Sequence, residues 1–246
     1  MKKMTTNLKE NKKSNVNFDN IPDGLKKQKI WSFWNYEGRH SDIFVPTPKT
    51  IINESINVRT RKGLITFEVC KKHAHKFDGI GIPITHGDPF MIWRIDDCCD
   101  MESGFIDDNA TKILDRLDSY SEYTINGKGL NIIVKPEIPF FIYILGIPKF
   151  TIPNGDEVRE MPFEFQNLSV SNQEQFLPIT GNQVPGTPKV VHARKEVCEK
   201  LFEDIPPAVV LREFDTVKKS FSMLSDNYLT YIFYLLRWKK RENQTS

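Results

Sequence analysis

The chain has 246 residues, 39% of them hydrophobic and 27% charged, with a formal net charge of +2. This composition excludes a globally disordered polymer and has room for one large domain or two small ones. The near-neutral balance excludes a strong overall field, so any basic surface for a nucleic acid has to be local.

Residues 1–17, "MKKMTTNLKENKKSNVN", hold five lysines against one glutamate. So little apolar surface cannot offset ordering entropy, and the segment reads as a basic, disordered tail, either solubilising or an arm for nucleic acid. From Ile21 onward the pattern is globular. "TFEVCKKHAHKF" reads as a helix, then "GIGIPIT" (Gly79–Thr85) and "FMIWRI" (Phe90–Ile95) as strands separated by the turn "HGDP". "DDNATKILDRLD" is a second helix, with Asp107 or Asp108 suited to its N-cap and Ala110, Ile113, Leu114 and Leu117 on one apolar face.

"SYSEYTINGKGLNIIVKP" gives two alternating runs joined at Asn126-Gly127, a dipeptide suited to the positive φ angles of a tight hairpin turn. Three more β-like runs follow, "FFIYILGI", "MPFEFQ" and "QFLPITG". After Pro188 the pattern is helical, through "HARKEVCEKLFEDI" and a long stretch from about Asp215 to Asn243. The expectation is an α+β chain: a mixed sheet with helices packed against it, then a helical C-terminal segment.

Cys70, Cys98, Cys99 and Cys198 lack a regular spacing, and no signal-peptide pattern follows the lysine-rich start, which fits a reduced, cytoplasmic chain. The longest apolar run, Leu229–Leu236, is far short of the roughly 20 residues that cross a bilayer, so no membrane partner is expected. Cys98 and Cys99 with His73 and His75 make a poor zinc set, because adjacent strand residues point oppositely and no CxxC accompanies them. His40, His86 and His192 lie apart in polar surroundings and read as surface histidines. Trp31 and Trp34 are candidates for base stacking, whereas Trp93 lies within an apolar run and reads as core. The cations of "RWKKREN" read as a solvated helix end or a contact patch.

The order of these pieces resembles the primase-polymerase domain of phages and plasmids, a branch of the archaeo-eukaryotic primase superfamily. The likeness covers about Ile21 to Glu203. "IPDGLKKQKIWSFW" is similar to the family's opening helix and tryptophan-bearing strand, and "ITFEVCKKHAHKFDGIGIPIT" to its "tfeea…fdGiGfvlt" segment. "IDDCCD" resembles "DlDDCvD", "SYSEYTINGKGLNIIVK" resembles "SYtEiSpSGkGlHiivk", and "QFLPITGN" resembles "RfftiTGn". The resemblance implies an RRM-like catalytic sheet joined to a smaller α/β module over residues 18–190, followed by a helical segment over 191–246. It also implies a mechanism in which two Asp at i and i+2 on one strand hold divalent metals that clamp a triphosphate and the attacking hydroxyl.

Carried across residue by residue, the catalytic pattern is broken. The first metal Asp falls on Arg94 and the second on Asp96; the His after Gly-Lys-Gly falls on Asn131, the Arg before Thr-Gly on Gln175, and the opening-strand Lys near Phe44. Gly127, Lys128, Gly129, Thr180, Gly181 and Asn182 stand at their expected places and are the candidate nucleotide- or nucleic-acid-binding residues. A guanidinium stays protonated and puts a cation where Mg²⁺ would sit, so the reading predicts an Arg94–Asp96 ion pair, no metal and no cofactor. Asp96 with Asp97 would be the ligands of Mg²⁺ or Mn²⁺ in an active enzyme with a relocated site.

Three functions follow. The first is a catalytically degenerate primase-polymerase-like protein of a phage, plasmid or other mobile element, kept for binding single-stranded nucleic acid, nucleotide or a replication protein. The second is an active primase or polymerase, and the third a protein-interaction module that inhibits or recruits a host factor.

Overall fold

A computed structural model describes residues 16–39, 43–84, 88–136, 143–144, 152–154, 157–159, 168–171 and 175–204. The basic tail before Val16, the run "MPFEFQ", His40, His86 and the helical stretch after Asp204 lie outside the described residues.

After a 3-10 turn at Phe18–Asn20, the elements are α1 (Asp23–Lys26), the hairpin β1 (Ser32–Arg39) and β2 (Ile43–Lys49), α2 (Phe67–His73) and β3 (Gly79–Ile84). Next come β4 (Met91–Ile95), the small hairpin β5 (Cys99–Asp100) and β6 (Phe105–Ile106), α3 (Asp108–Leu117), β7 (Ser121–Tyr123) and β8 (Leu130–Val134). Short strands β9 (Tyr143–Ile144), β10 (Ile152–Asn154), β11 (Glu157–Arg159) and β12 (Leu168–Ser171) lead to β13 (Gln175–Ile179) and α4 (Lys195–Asp204).

The chain is α+β as expected, but in place of the expected mixed sheet there are two main antiparallel sheets, ordered β13-β3-β1-β2 and β7-β8-β4-β12-β9. The reason is the same in both. β2 and β3 run parallel across the α2 crossover, but β1 inserts between them and pairs antiparallel with each. Likewise β4 and β7 run parallel across α3, with β8 inserted between them. The four-stranded sheet curls into a half-barrel that brings its edge strands β13 and β2 together.

Side-chain alternation divides the core in two. Met91, Trp93 and Ile95 of β4 and Leu130, Ile132 and Val134 of β8 face Ala110, Ile113 and Leu117 of α3 and Cys198 and Leu201 of α4. The opposite face sends Ile92 and Ile133, with Phe90 and Tyr120, against Phe33, Ile80, Ile82, Ile84, Leu177 and Ile179 of the half-barrel and Phe67 and Cys70 of α2. Asp107 caps α3 as expected, accepting from the amides of Asn109 and Ala110. At its other end, Arg194 donates from Nε to the Leu117 carbonyl at 2.8 Å, satisfying a terminal carbonyl and fixing the start of α4.

The hairpin turn differs from its expected form. Among Asn126 and Gly127 only Gly127 has a positive φ, +70°. The loop is longer, closed by the Thr124 amide on the Gly129 carbonyl at 2.8 Å. Asn126 contributes its side chain rather than its backbone: Oδ1 accepts from Thr124 Oγ1 at 2.7 Å and from the Lys128 amide at 3.1 Å.

Two glycines separate conformational strain from packing. Gly181 (φ +66°) would carry a Cβ 2.0 Å from the Asn17 carbonyl oxygen, whereas Gly186 (φ +83°) has open space around it. Gly186→Ala should therefore cost only the left-handed backbone, about 1 kcal/mol. Gly181→Ala must also displace the Asn17 backbone and should lose more than ~2 kcal/mol in urea unfolding. Equal losses for the two variants would contradict this packing.

Candidate functional site

Strand pairing places two of the sequence-derived candidates, Arg94 and Asn131, in a row with Glu122 across the inner face of the five-stranded sheet. Arg94 on β4 lies opposite Asn131 on β8, and Asn131 lies opposite Glu122 on β7. Each has the parity of Ile92 or Ile133, whose side chains point at the half-barrel. With strands about 4.8 Å apart, Arg94 and Glu122 stand roughly 10 Å from one another.

At one end of the row, Arg94 Nε donates to Asp96 Oδ1 at 2.8 Å, the ion pair expected from their i, i+2 spacing. Asp96 lies one residue beyond the end of β4, so the pair closes the strand rather than sharing it. Both side chains are nearly half exposed, at 42% and 47%, so water screens the pair and it opens to solvent. Asp97 follows in the left-handed region (φ +51°) and is exposed. That reversal resets the alternation, which is why Cys98 and Cys99 are both buried in the α3 side of the core instead of on opposite faces. His73 and His75 lie on the α2 side, away from both thiols. Among the described residues, no three His, Cys, Asp or Glu side chains converge to hold a metal.

Asn131 is 3% exposed, and its Oδ1 is buried with no hydrogen-bond partner among the described residues. Its neighbour Glu122 is fully buried and heavily used. Glu122 Oε1 accepts from the Thr180 amide at 3.1 Å, and Oε2 from the Gly181 amide at 2.9 Å and the Tyr120 hydroxyl at 2.8 Å. Burial pushes its carboxyl up to about 7, against the downward pull of these three donors.

The Gly-Lys-Gly and Thr-Gly-Asn motifs are thereby tied into the framework. A Cβ on Gly129 would lie 2.6 Å from the Ile95 carbonyl oxygen and 3.2 Å from Asp96 Cα, so this glycine lets the hairpin pass close to the Arg94–Asp96 strand end. The Gly127 and Lys128 carbonyls accept from the Met101 and Cys99 amides at 2.9 and 3.2 Å. Lys128 is exposed; its charge, after hydrogen bonds from Ser103 and the Glu102 amide, helps hold the Asp100 carboxyl below its ordinary range. Thr180 Oγ1 donates to the Tyr123 carbonyl at 3.1 Å, and the Asn182 carbonyl accepts from the Tyr123 amide at 3.0 Å.

Gln175 stands apart, at the far end of β13 from Thr180, with its Nε2 buried and unpartnered among the described residues. Sequence reasoning missed two residues. Glu122 reads as the polar position of an alternating strand, and its parity with Tyr120 and Asn131 was the available signal. Lys49, at the end of β2, has the opposite parity from Phe44 and is 6% exposed; it pairs with Glu37 and donates to Ser55 Oγ at 3.0 Å. Trp31 and Trp34 are both fully buried, which removes them as base-stacking platforms. Trp31 packs against Phe67 and donates to the Leu25 carbonyl, and Trp34 lies against Gly79 and donates to the Ile80 carbonyl. Trp93 is core, as expected.

No helix among the described residues is long and apolar enough to cross a membrane. No family model matches the chain, and no curated protein matches it.

Glu122 gives the fold a pH signature. Its carboxyl is raised in the folded state from 4.5 to about 7, so between these values the folded protein holds a proton that the unfolded chain releases. Stability from this group is complete below pH 4.5 and is lost as pH rises through 7, by roughly 3 kcal/mol. Urea unfolding from pH 5 to pH 8 should show this fall in the wild type and a flatter profile in Glu122→Gln. Parallel profiles would contradict the assignment.

Proposed function

We propose that the chain is a catalytically degenerate primase-polymerase-like domain that binds nucleic acid or nucleotide without transferring nucleotidyl groups. The observation that carries this reading is the Arg94–Asp96 pair, 2.8 Å from Nε to Oδ1, at the position the resemblance gives to a metal pair. A guanidinium keeps its proton at any working pH, so this strand end presents a fixed cation and one neutralised carboxylate. Such a group can hold a phosphate, but it cannot lower the pKa of an attacking hydroxyl as a bound metal does.

Two features of the fold support the reading. In the five-stranded sheet β8 is inserted between β4 and β7 and β12 pairs on the other side of β4, the split β-α-β arrangement of ferredoxin-like sheets, of which RRM-like sheets are one kind. Three of the five motifs that carry the resemblance, "IDDCCD", the Gly-Lys-Gly hairpin and Thr-Gly-Asn, also converge on one another through Gly129 and Glu122. An origin in a phage, plasmid or other mobile element belongs to the same proposal.

Primer extension with Mg²⁺ and Mn²⁺ on wild type, Arg94→Asp and Asp96→Ala tests it. No extension is expected from any of the three. Arg94→Asp restores one ligand but leaves Asn131 and Gln175, and positioning and charge stabilisation act together in such chemistry. Extension by the wild type that Asp96→Ala abolishes would overturn the proposal in favour of an active enzyme.

A further inference from the structure

The net charge of +2 conceals a segregation of charge. Residues 96–108 carry six carboxylates and no Lys or Arg. Cations gather instead where α1, the Phe18–Asn20 turn and α2 meet. Lys26 Nζ sits 5.7 Å from the centroid of the Phe67 ring, and Lys71 Nζ sits 5.7 Å from that of Phe18. The two rings pack edge to face with centroids 6.1 Å apart, so one aromatic pair holds the lysines of two helices side by side. Lys72 and Lys76 crowd His73, whose imidazole pKa is lowered first by desolvation and then by these two charges. Lys189 reaches Asn20 Oδ1 at 3.5 Å, and Lys27 follows Lys26 and is exposed. Among the described residues, the turn, α1 and α2 contribute the carboxylates Asp19, Asp23 and Glu68, so against the six lysines three positive charges are in excess. In the sequence, residues 1–15, which hold five lysines, come immediately before Val16.

We propose that this lysine face binds the phosphate backbone of a nucleic acid strand, without reading its sequence, through residues other than those around the Arg94–Asp96 pair. The choice of nucleic acid rests on the reading above, whereas the face itself rests on the packing of α1 against α2. The cations are all lysines, mobile point charges suited to a phosphate track, and none of the exposed large apolar residues here is an aromatic or other anchor of the kind that dominates protein interfaces. Val69 and Val190, 37% and 56% exposed, offer too little apolar area to enter a bilayer. Charge neutralisation with counterion release is the interaction that remains.

The test is fluorescence anisotropy of a labelled single-stranded DNA of ~30 nucleotides across a salt titration. It compares the full-length wild type, the variant Lys27→Gln/Lys72→Gln/Lys76→Gln/Lys189→Gln, which spares the two lysines on the rings, and Arg94→Gln. The wild type should bind with a steep salt dependence. The quadruple variant should bind at least tenfold more weakly at low salt, with a log–log slope shallower by up to ~3, since each phosphate contact contributes ~0.7 for single strands. Arg94→Gln should change the slope by less than ~1. An unchanged quadruple variant beside a wild type that binds would overturn the face while leaving the nucleic-acid reading intact. A wild type that binds phosphatidylserine vesicles, or nothing, in place of the oligonucleotide would overturn the choice of nucleic acid itself.

Discussion

One buried carboxylate joins the two sheets. Glu122 belongs to the five-stranded sheet, yet two of its three hydrogen bonds come from Thr180 and Gly181, at the end of β13 in the half-barrel. Desolvating an acid is costly, and the amide and hydroxyl donors offset much of that cost where water cannot. The consequences extend in both directions. The Asn17 amide donates to the Thr180 carbonyl at 2.8 Å, and Asn17 packs over Gly181, so the Phe18–Asn20 turn and α1 are placed from the same point. On the other side, Glu122 lies in register with Asn131, and Asn131 with Arg94, so the row across the sheet is anchored at this end.

The charge at the end of β4 decides its chemistry. An ion pair this exposed contributes about 0–1 kcal/mol, so folding stability does not explain an arginine at the end of β4. What Arg94 supplies is a permanent donor fork beside the buried Asn131 amide, whose carbonyl has no partner among the described residues, together with the Lys128 hairpin that Gly129 brings close. Such groups suit anions and polar ligands. In the proposed function these groups bind without activating a nucleophile, which separates binding from nucleotidyl transfer.

The local elements are legible in the sequence, and their assembly is less so. α3 announces itself through its Asp107 cap and one-sided apolar spacing, and β3 and β4 through continuous apolar runs. Those same runs hide sheet membership: every residue of β3 is buried, so no polar face tells whether it pairs with β4 or with β1. The insertion of β8 and β1 between parallel neighbours is a long-range outcome with no local signature. Asn126-Gly127 misleads because Asn126 satisfies the loop with its side chain. The Arg94–Asp96 pair is legible because two residues two apart at a strand end need no tertiary information to meet. Glu122 is not, since a lone acid in an alternating strand reads as solvent-facing until the half-barrel covers it.

The central claim is that a protein cation has taken the place of a metal at the end of β4. It is tested most directly by a crystal soaked in Mn²⁺ with a nucleoside triphosphate and examined for anomalous scattering. The account predicts Arg94 Nε on Asp96, or on a phosphate oxygen, and no manganese peak at that position. Manganese bound by Asp96 and Asp97, with Arg94 turned away, would contradict it.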